Sequence, residues 1–244
     1  MNIALIGYGK MGKAIEEVIR NHNALHVKHI LVVAKFSKST GPTLNIENLN
    51  GVDVAIEFTT PLTAVNNIKI CIDAGVPVIS GTTGWYDQLP ELVDYCKVKN
   101  GAFLHSANFS IGVNIFFKIN SILAELMSTQ SEYKVEITET HHTQKLDAPS
   151  GTAIKTAQLL LASYKNKTGW KLTPTDAADV IPITAHRVTN IPGTHEVIYN
   201  STADEIKIVH TAHSRQGFAE GALLAAQWIR DKKGAFTMND VLGI

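Results

Sequence analysis

Apolar runs at residues 2–6, 27–33, 52–58, 76–80 and 102–105 alternate with segments whose apolar positions recur every three or four residues. That alternation predicts parallel strands joined by crossover helices, a doubly wound α/β layer. Met11, Ala14, Ile15, Val18 and Ile19 share one face of the first helix; Val65, Ile68 and Ile72 share one face of the second. The second helix has a start signal, the Thr60 hydroxyl as cap and Pro61 at the first helical position. Beyond His105 the period changes. A helical stretch runs to about Met127, then Tyr133, Val135 and Ile137 alternate with Lys134, Glu136 and Thr138, and strand-like runs follow at 180–188, 194–199 and 205–212. Helices mostly on one side of these strands make a second, smaller α+β domain. FAEGALLAAQWIR (218–230) reads as a helix returning to the first domain, which sets one domain at 1–107 completed by 218–244 and the other at 108–217.

Directly after the first predicted strand stands GYGKMG: Gly7, Tyr8, Gly9, Lys10, Met11 and Gly12. G-x-G-x-x-G between strand and helix is the pyrophosphate loop of a Rossmann-type dinucleotide fold. Its glycines serve a tight turn, close ligand approach and helix packing, while helix-start amides face the anion. An NAD-preferring site usually ends the second strand with a carboxylate, but VVAKFSKS offers Lys35 and Lys38. These cations suit the extra phosphate of NADP, or are solvated loop lysines. Two loops, FTTP (58–61) and GTTGW (81–85), follow later strands where open parallel sheets bind ligands; each is either a ligand loop or a capped turn.

Composition narrows the partners. Twenty-two basic against twenty-two acidic residues leave no net charge over 244 residues, so the broad basic footprint of a nucleic-acid or anionic-membrane binder is missing. The opening NIALIG is short for a signal-peptide core, and no apolar run approaches bilayer length, so a cytoplasmic setting is expected. Cys71 and Cys96 read as buried thiols rather than a disulfide or zinc site.

The densest chemistry lies in ETHHTQKLDAPSGTA (139–153). In a strand, His141 and His142 point to opposite faces and do not readily chelate one ion, so no metal is expected. Ser150 is a candidate helix cap, and the amides beyond it, at Gly151 and Thr152, suit a carboxylate or phosphate. Lys145 adds a fixed positive charge, His142 a donor, and His141 a group that exchanges protons near neutral pH. Such an anion clamp beside a nicotinamide would serve to reduce a carboxylated substrate. His186, His195, His210 and His213 either line the substrate cleft or merely sit on strands, and Arg187 and Arg215 are either further carboxylate partners or surface residues.

In order along essentially the whole chain, GYGKMG, FTTP, GTTGW, SANFSIGVN and above all ETHHTQKLDAPSGTA resemble the 4-hydroxy-tetrahydrodipicolinate (dihydrodipicolinate) reductase family. The resemblance implies reduction of 4-hydroxy-tetrahydrodipicolinate, a small dicarboxylate, by NADPH or NADH in lysine and diaminopimelate biosynthesis. It implies His141 as acid/base residue, Lys145 as catalytic proton donor, and His142, Gly151 and Thr152 as the substrate-carboxylate site. Residues 7–12, then Gly81, Thr82 and Thr83, then Ser106, Ala107, Asn108 and Phe109 would meet the cofactor, and the middle domain would build a homotetramer. Many members carry an acidic and then a basic residue after the second strand. Here Ala34 and Lys35 stand there, which leans toward NADPH with NADH as the lesser cofactor.

Overall fold

The structure, a computed structural model, describes residues 1–25, 29–37, 41–214 and 216–244. The elements begin with β1 (Asn2–Ile6), α1 (Lys10–Leu25), β2 (Leu31–Phe36), β3 (Val54–Glu57), α2 (Pro61–Asp73), β4 (Val78–Ser80), α3 (Leu89–Val98) and β5 (Ala102–His105). They continue with α4 (Ile111–Met127), β6 (Lys134–His141), α5 (Gly151–Ser163), β7 (Gly169–Leu172), β8 (Val180–Arg187), β9 (Gly193–Asn200) and β10 (Glu205–Ala212). Last come α6 (Gln216–Ile229), β11 (Gly234–Phe236) and α7 (Met238–Leu242). The chain divides into two units, Met1–Ile111 with Gln216–Ile244, and Gly112–Arg215.

The first unit holds a six-stranded, all-parallel sheet in the order β11-β5-β4-β3-β1-β2. Alternate residues serve two cores, as a parallel sheet covered on both faces requires. Ile3, Leu5, Ile56 and Leu104 pack with Ile15 and Ile19 of α1 and Ala222 and Ala226 of α6. Ala4, Ile6, Ala55 and Phe103 pack with Ile68 and Ile72 of α2 and Leu92 of α3. Cys71 and Cys96 lie in the second core as free, buried thiols.

Three local expectations are corrected. The second strand spans Leu31–Phe36 rather than 27–33, because pairing with β1 starts at Asn2↔Leu31 and runs through Ile6↔Phe36, seating the buried Phe36. Lys35 therefore lies within the strand, opposite Leu5, not in a loop. Thr60 is the N-cap of α2, but its hydroxyl meets Thr63 Oγ1 at 3.0 Å while its carbonyl takes the Thr63 and Ala64 amides. β11, too short to read from sequence, pairs beside β5. Residues 27 and 28 of the predicted strand, Lys38 and Arg215 lie outside the described residues.

The second unit is a five-stranded mixed sheet, β10-β9-β6-β8-β7, with parallel β6/β8 and β7/β8 pairs and antiparallel β6/β9 and β9/β10 pairs. Its core joins Val135, Ile137, Ile183 and Val197 to Phe116, Ala124 and Met127 of α4 and Ala153, Ala157 and Leu160 of α5. The buried stripe of α5 thus centres on Ala153, Thr156, Ala157 and Leu160, with Ile154 and Leu161 only partly covered.

Candidate active site

In the second unit, β6 alternates strictly, and the face that carries Val135 and Ile137 into the core continues as Glu139 and His141. Glu139 is fully buried and His141 nearly so, while His142 falls just past the strand and is half-buried. Register supplies their neighbours. Glu139 pairs with Ala185 of β8 and His195 of β9; His141, two residues on, pairs with Arg187 of β8. One end of this sheet face therefore gathers a carboxylate, two imidazoles and a guanidinium from three strands.

The Glu139 carboxylate accepts the Ser150 amide at 3.2 and 3.0 Å and Arg187 Nη2 at 3.3 Å. It also lies 3.5 Å from His141 Nδ1 and 3.7 Å from His195 Nε2. Ser150 caps α5 as expected, its hydroxyl accepting the Ala153 amide at 3.2 Å and lying 3.0 Å from His195 Nε2. The amides of Gly151 and Thr152 are the first-turn donors of that helix. Arg187 braces the intervening loop, donating to the carbonyls of Asp147 at 2.6 Å and Lys145 at 3.3 Å. Lys145 Nζ pairs with Asp147 at 2.7 Å and holds that carboxyl below its ordinary range.

Burial pushes His195 down to about 3, so its ring is neutral at physiological pH. His141 is also lowered, first by burial and then by the Lys145 and Arg187 charges, against the upward pull of Glu139. The ligand atoms of Glu139, His141 and His195 lie within 4.8 Å of one another. The same carboxylate also takes the Ser150 amide and the Arg187 cation.

In the first unit, the GYGKMG glycines have different reasons to be glycine. Gly7 has φ +94°, and a Cβ there would lie 1.9 Å from the Phe58 carbonyl oxygen; at Gly12 it would lie 2.6 Å from the Gly7 oxygen. At Gly9 a Cβ would meet nothing within 4 Å, so ligand approach, not packing, is the demand that remains there. The loop thus fits a pyrophosphate, with exposed Lys10 at the start of α1. At the end of β2, Lys35 Nζ sits 2.6 Å from Glu16 of α1 and 4.5 Å over the Tyr8 ring, and the Tyr8 hydroxyl bonds the same carboxylate. A carboxylate does stand beside Lys35, but α1 supplies it.

Buried Glu57 ties the two remaining loops together. It accepts the Thr59 amide at 3.0 Å and the hydroxyls of Thr59, Ser80 and Thr82. The Thr82 side chain therefore faces inward, Thr83 is exposed, and Gly81 is required because a Cβ would lie 2.0 Å from the Phe58 ring. In the segment 106–109, Ser106 Oγ donates to the Asn108 carbonyl at 2.7 Å, Ala107 is exposed, and Phe109 packs in the core against Phe58.

The dihydrodipicolinate reductase N-terminal family model matches residues 1–109 and the C-terminal model residues 112–242. The chain belongs to the dihydrodipicolinate reductase family. A 4-hydroxy-tetrahydrodipicolinate reductase of Christiangramia forsetii is 48% identical over 242 residues, 99% of this chain and 98% of that protein. Its counterpart in Methanococcoides burtonii is 37% identical, with 96% of each chain covered. A solved dipicolinate-bound dihydrodipicolinate reductase from Paenisporosarcina sp. TG-14 has a TM-score of 0.81 at 25% identity, covering 98% of both chains.

Sequence reasoning placed His141, His142, Lys145, Ser150, Gly151 and Thr152 in one segment, and the structure brings them to one end of the second unit's sheet. It gave Glu139, Asp147, Gly193 and Glu16 no role and left His195 and Arg187 open. For Glu139 a signal existed: the β6 alternation, carried two residues past Ile137, turns it inward. For His195 and Gly193 the signal is strand register, which a single sequence does not display.

Proposed function

We propose that this reductase prefers NADPH over NADH, that His141 and Lys145 carry its proton chemistry, and that His142 with the Gly151 and Thr152 amides holds a substrate carboxylate. The reaction is the family's, reduction of 4-hydroxy-tetrahydrodipicolinate to tetrahydrodipicolinate in lysine and diaminopimelate biosynthesis, by a nicotinamide-dependent oxidoreductase. When bound, the nicotinamide supplies the hydride that replaces the departing C4 hydroxyl, lost as water. The chain supplies placement, charge and protons. The observation that carries the reading is the convergence of Lys145, His141 and the start of α5 around the end of β6. Lys145 offers an ammonium steadied by Asp147, and helix-start amides are fixed donors for an anion. Following nicotinamide absorbance with freshly made 4-hydroxy-tetrahydrodipicolinate tests it; oxidation must require that substrate.

In this reading residues 7–12 hold the pyrophosphate, and the backbone edges of Gly81, Thr82 and Thr83 and of Ser106, Ala107 and Asn108 serve the nicotinamide half. Lys35 is the group suited to a 2′-phosphate, and Glu16 competes with that phosphate for it. Lys35→Ala should raise the NADPH KM roughly tenfold, the low end for a hydrogen bond to a charged group, and barely alter the NADH KM. Equal effects on both cofactors would assign Lys35 a structural role. Glu16→Gln, which frees Lys35, should lower the NADPH KM.

The proposal extends to a cytoplasmic homotetramer assembled through the second unit. Ile115, Ile119, Ile122 and Leu126 form an exposed stripe on α4 opposite its buried Phe116, Ala124 and Met127. Among the described residues no helix is long and apolar enough to cross a membrane. Light scattering should return the mass of four 26.5 kDa chains; a monomer's mass would refute the assembly.

A further inference from the structure

We propose that Glu139 is a positioning residue for His141: its buried carboxylate holds the imidazole by Nδ1 and so commits Nε2 to the proton exchange. The inference rests on the assignment of His141 to proton chemistry made above. A fully buried carboxylate is costly unless well partnered, and Glu139 is held from two directions, by the Ser150 amide and by Arg187 Nη2. Its place is thus fixed by α5 and β8, independently of His141.

His141 Nδ1 is buried and has no hydrogen-bond partner among the described residues, and Glu139 Oε2 faces it at 3.5 Å. The His195 ring stands edge-on to the His141 ring at 5.0 Å and 72°, on the same carboxylate. At the other nitrogen, a Cβ on Gly193 would lie 3.0 Å from Nε2 and 3.1 Å from Cδ2, so glycine keeps that side of the ring clear. A base oriented through one nitrogen by a carboxylate and working through the other is a general arrangement for proton transfer.

The charges facing His141 come from every element around it: Glu139 on its own strand, Lys145 and Asp147 from the loop, and Arg187 from β8, with the neutral His195 ring from β9. Glu139 and Asp147 raise its proton affinity; Lys145 and Arg187 lower it. Removing the Glu139 charge alone must therefore move the His141 limb of a pH profile to lower pH, whichever limb that is.

The test is Glu139→Gln in the full-length enzyme, which keeps the side chain's shape and one acceptor oxygen but removes the charge and the second acceptor. Expected are a kcat lowered about 10–100-fold, an unchanged NADPH KM, and the shifted limb. Wild-type kcat with an unmoved limb overturns the proposal. Should that variant fold poorly, nitrogen NMR of wild-type His141 decides: the neutral ring must carry its proton on Nδ1, and an Nε2–H tautomer refutes the arrangement. His141→Gln separates the premise from the proposal. Full turnover there removes His141 from the chemistry and Glu139 with it, whereas an impaired His141→Gln beside an unaffected Glu139→Gln refutes the positioning role alone.

Discussion

Replacing Lys145 with alanine should lower turnover of 4-hydroxy-tetrahydrodipicolinate by about 10²–10⁴-fold, the loss typical of a positioned proton donor. The loop should survive the change. Arg187 grips it through the Lys145 and Asp147 carbonyls, and the Lys145 amide bonds the His142 carbonyl at 3.1 Å; alanine keeps all three. What disappears is the ammonium and its pair with the exposed Asp147, a surface contact worth only about 0–1 kcal/mol. Thermal stability and the NADPH KM should therefore stay near wild type while kcat collapses. Lys145→Arg sharpens the assignment, because a guanidinium can anchor a carboxylate but does not give up its proton. Proton donation predicts no rescue by arginine; a pure anchor predicts recovery. Near-normal turnover in the alanine variant would remove Lys145 from the mechanism.

The second large effect concerns stability. Gly221 lies within α6, where alanine would ordinarily be favoured by about 1 kcal/mol. Here a Cβ would lie 1.8 Å from the Phe109 carbonyl oxygen, a backbone atom that cannot swing aside. Gly221→Ala must push α6 away from the segment that seats Phe109 against Ala219 and Ala222 in the first core. The expected cost is about 3 kcal/mol or more, read as a lower urea midpoint. A midpoint equal to or above wild type would show that helix propensity outweighs the contact. Because Ser106, Ala107 and Asn108 lead into Phe109, cofactor affinity should fall with it.

The parallel sheet was legible because its strands are short apolar runs buried on both faces, and the helices because their apolar residues recur along one side. The Leu31 start of β2 was not, since pairing to β1 rather than local composition decides it. The site divides along the same line. His141, Lys145 and Ser150 sit close in sequence and their segment announces chemistry by residue type. Glu139 gains its meaning only when β9 brings His195 and β8 brings Arg187 onto the same face. Likewise Glu16 meets Lys35 only because α1 packs back over β2. Local chemistry is written along the chain; contacts set by strand register and helix packing are not.

The central claim is that the end of β6, its loop and the first turn of α5 form the site for the substrate's carboxylates. Calorimetric titration with pyridine-2,6-dicarboxylate in the presence of NADPH tests it most directly, comparing wild type with His142→Ala and Lys145→Ala. One dicarboxylate should bind per wild-type chain, and each variant should bind it roughly tenfold or more weakly, as the loss of a hydrogen bond to a charged group implies. Unchanged affinity in both variants would place the substrate elsewhere and contradict the account.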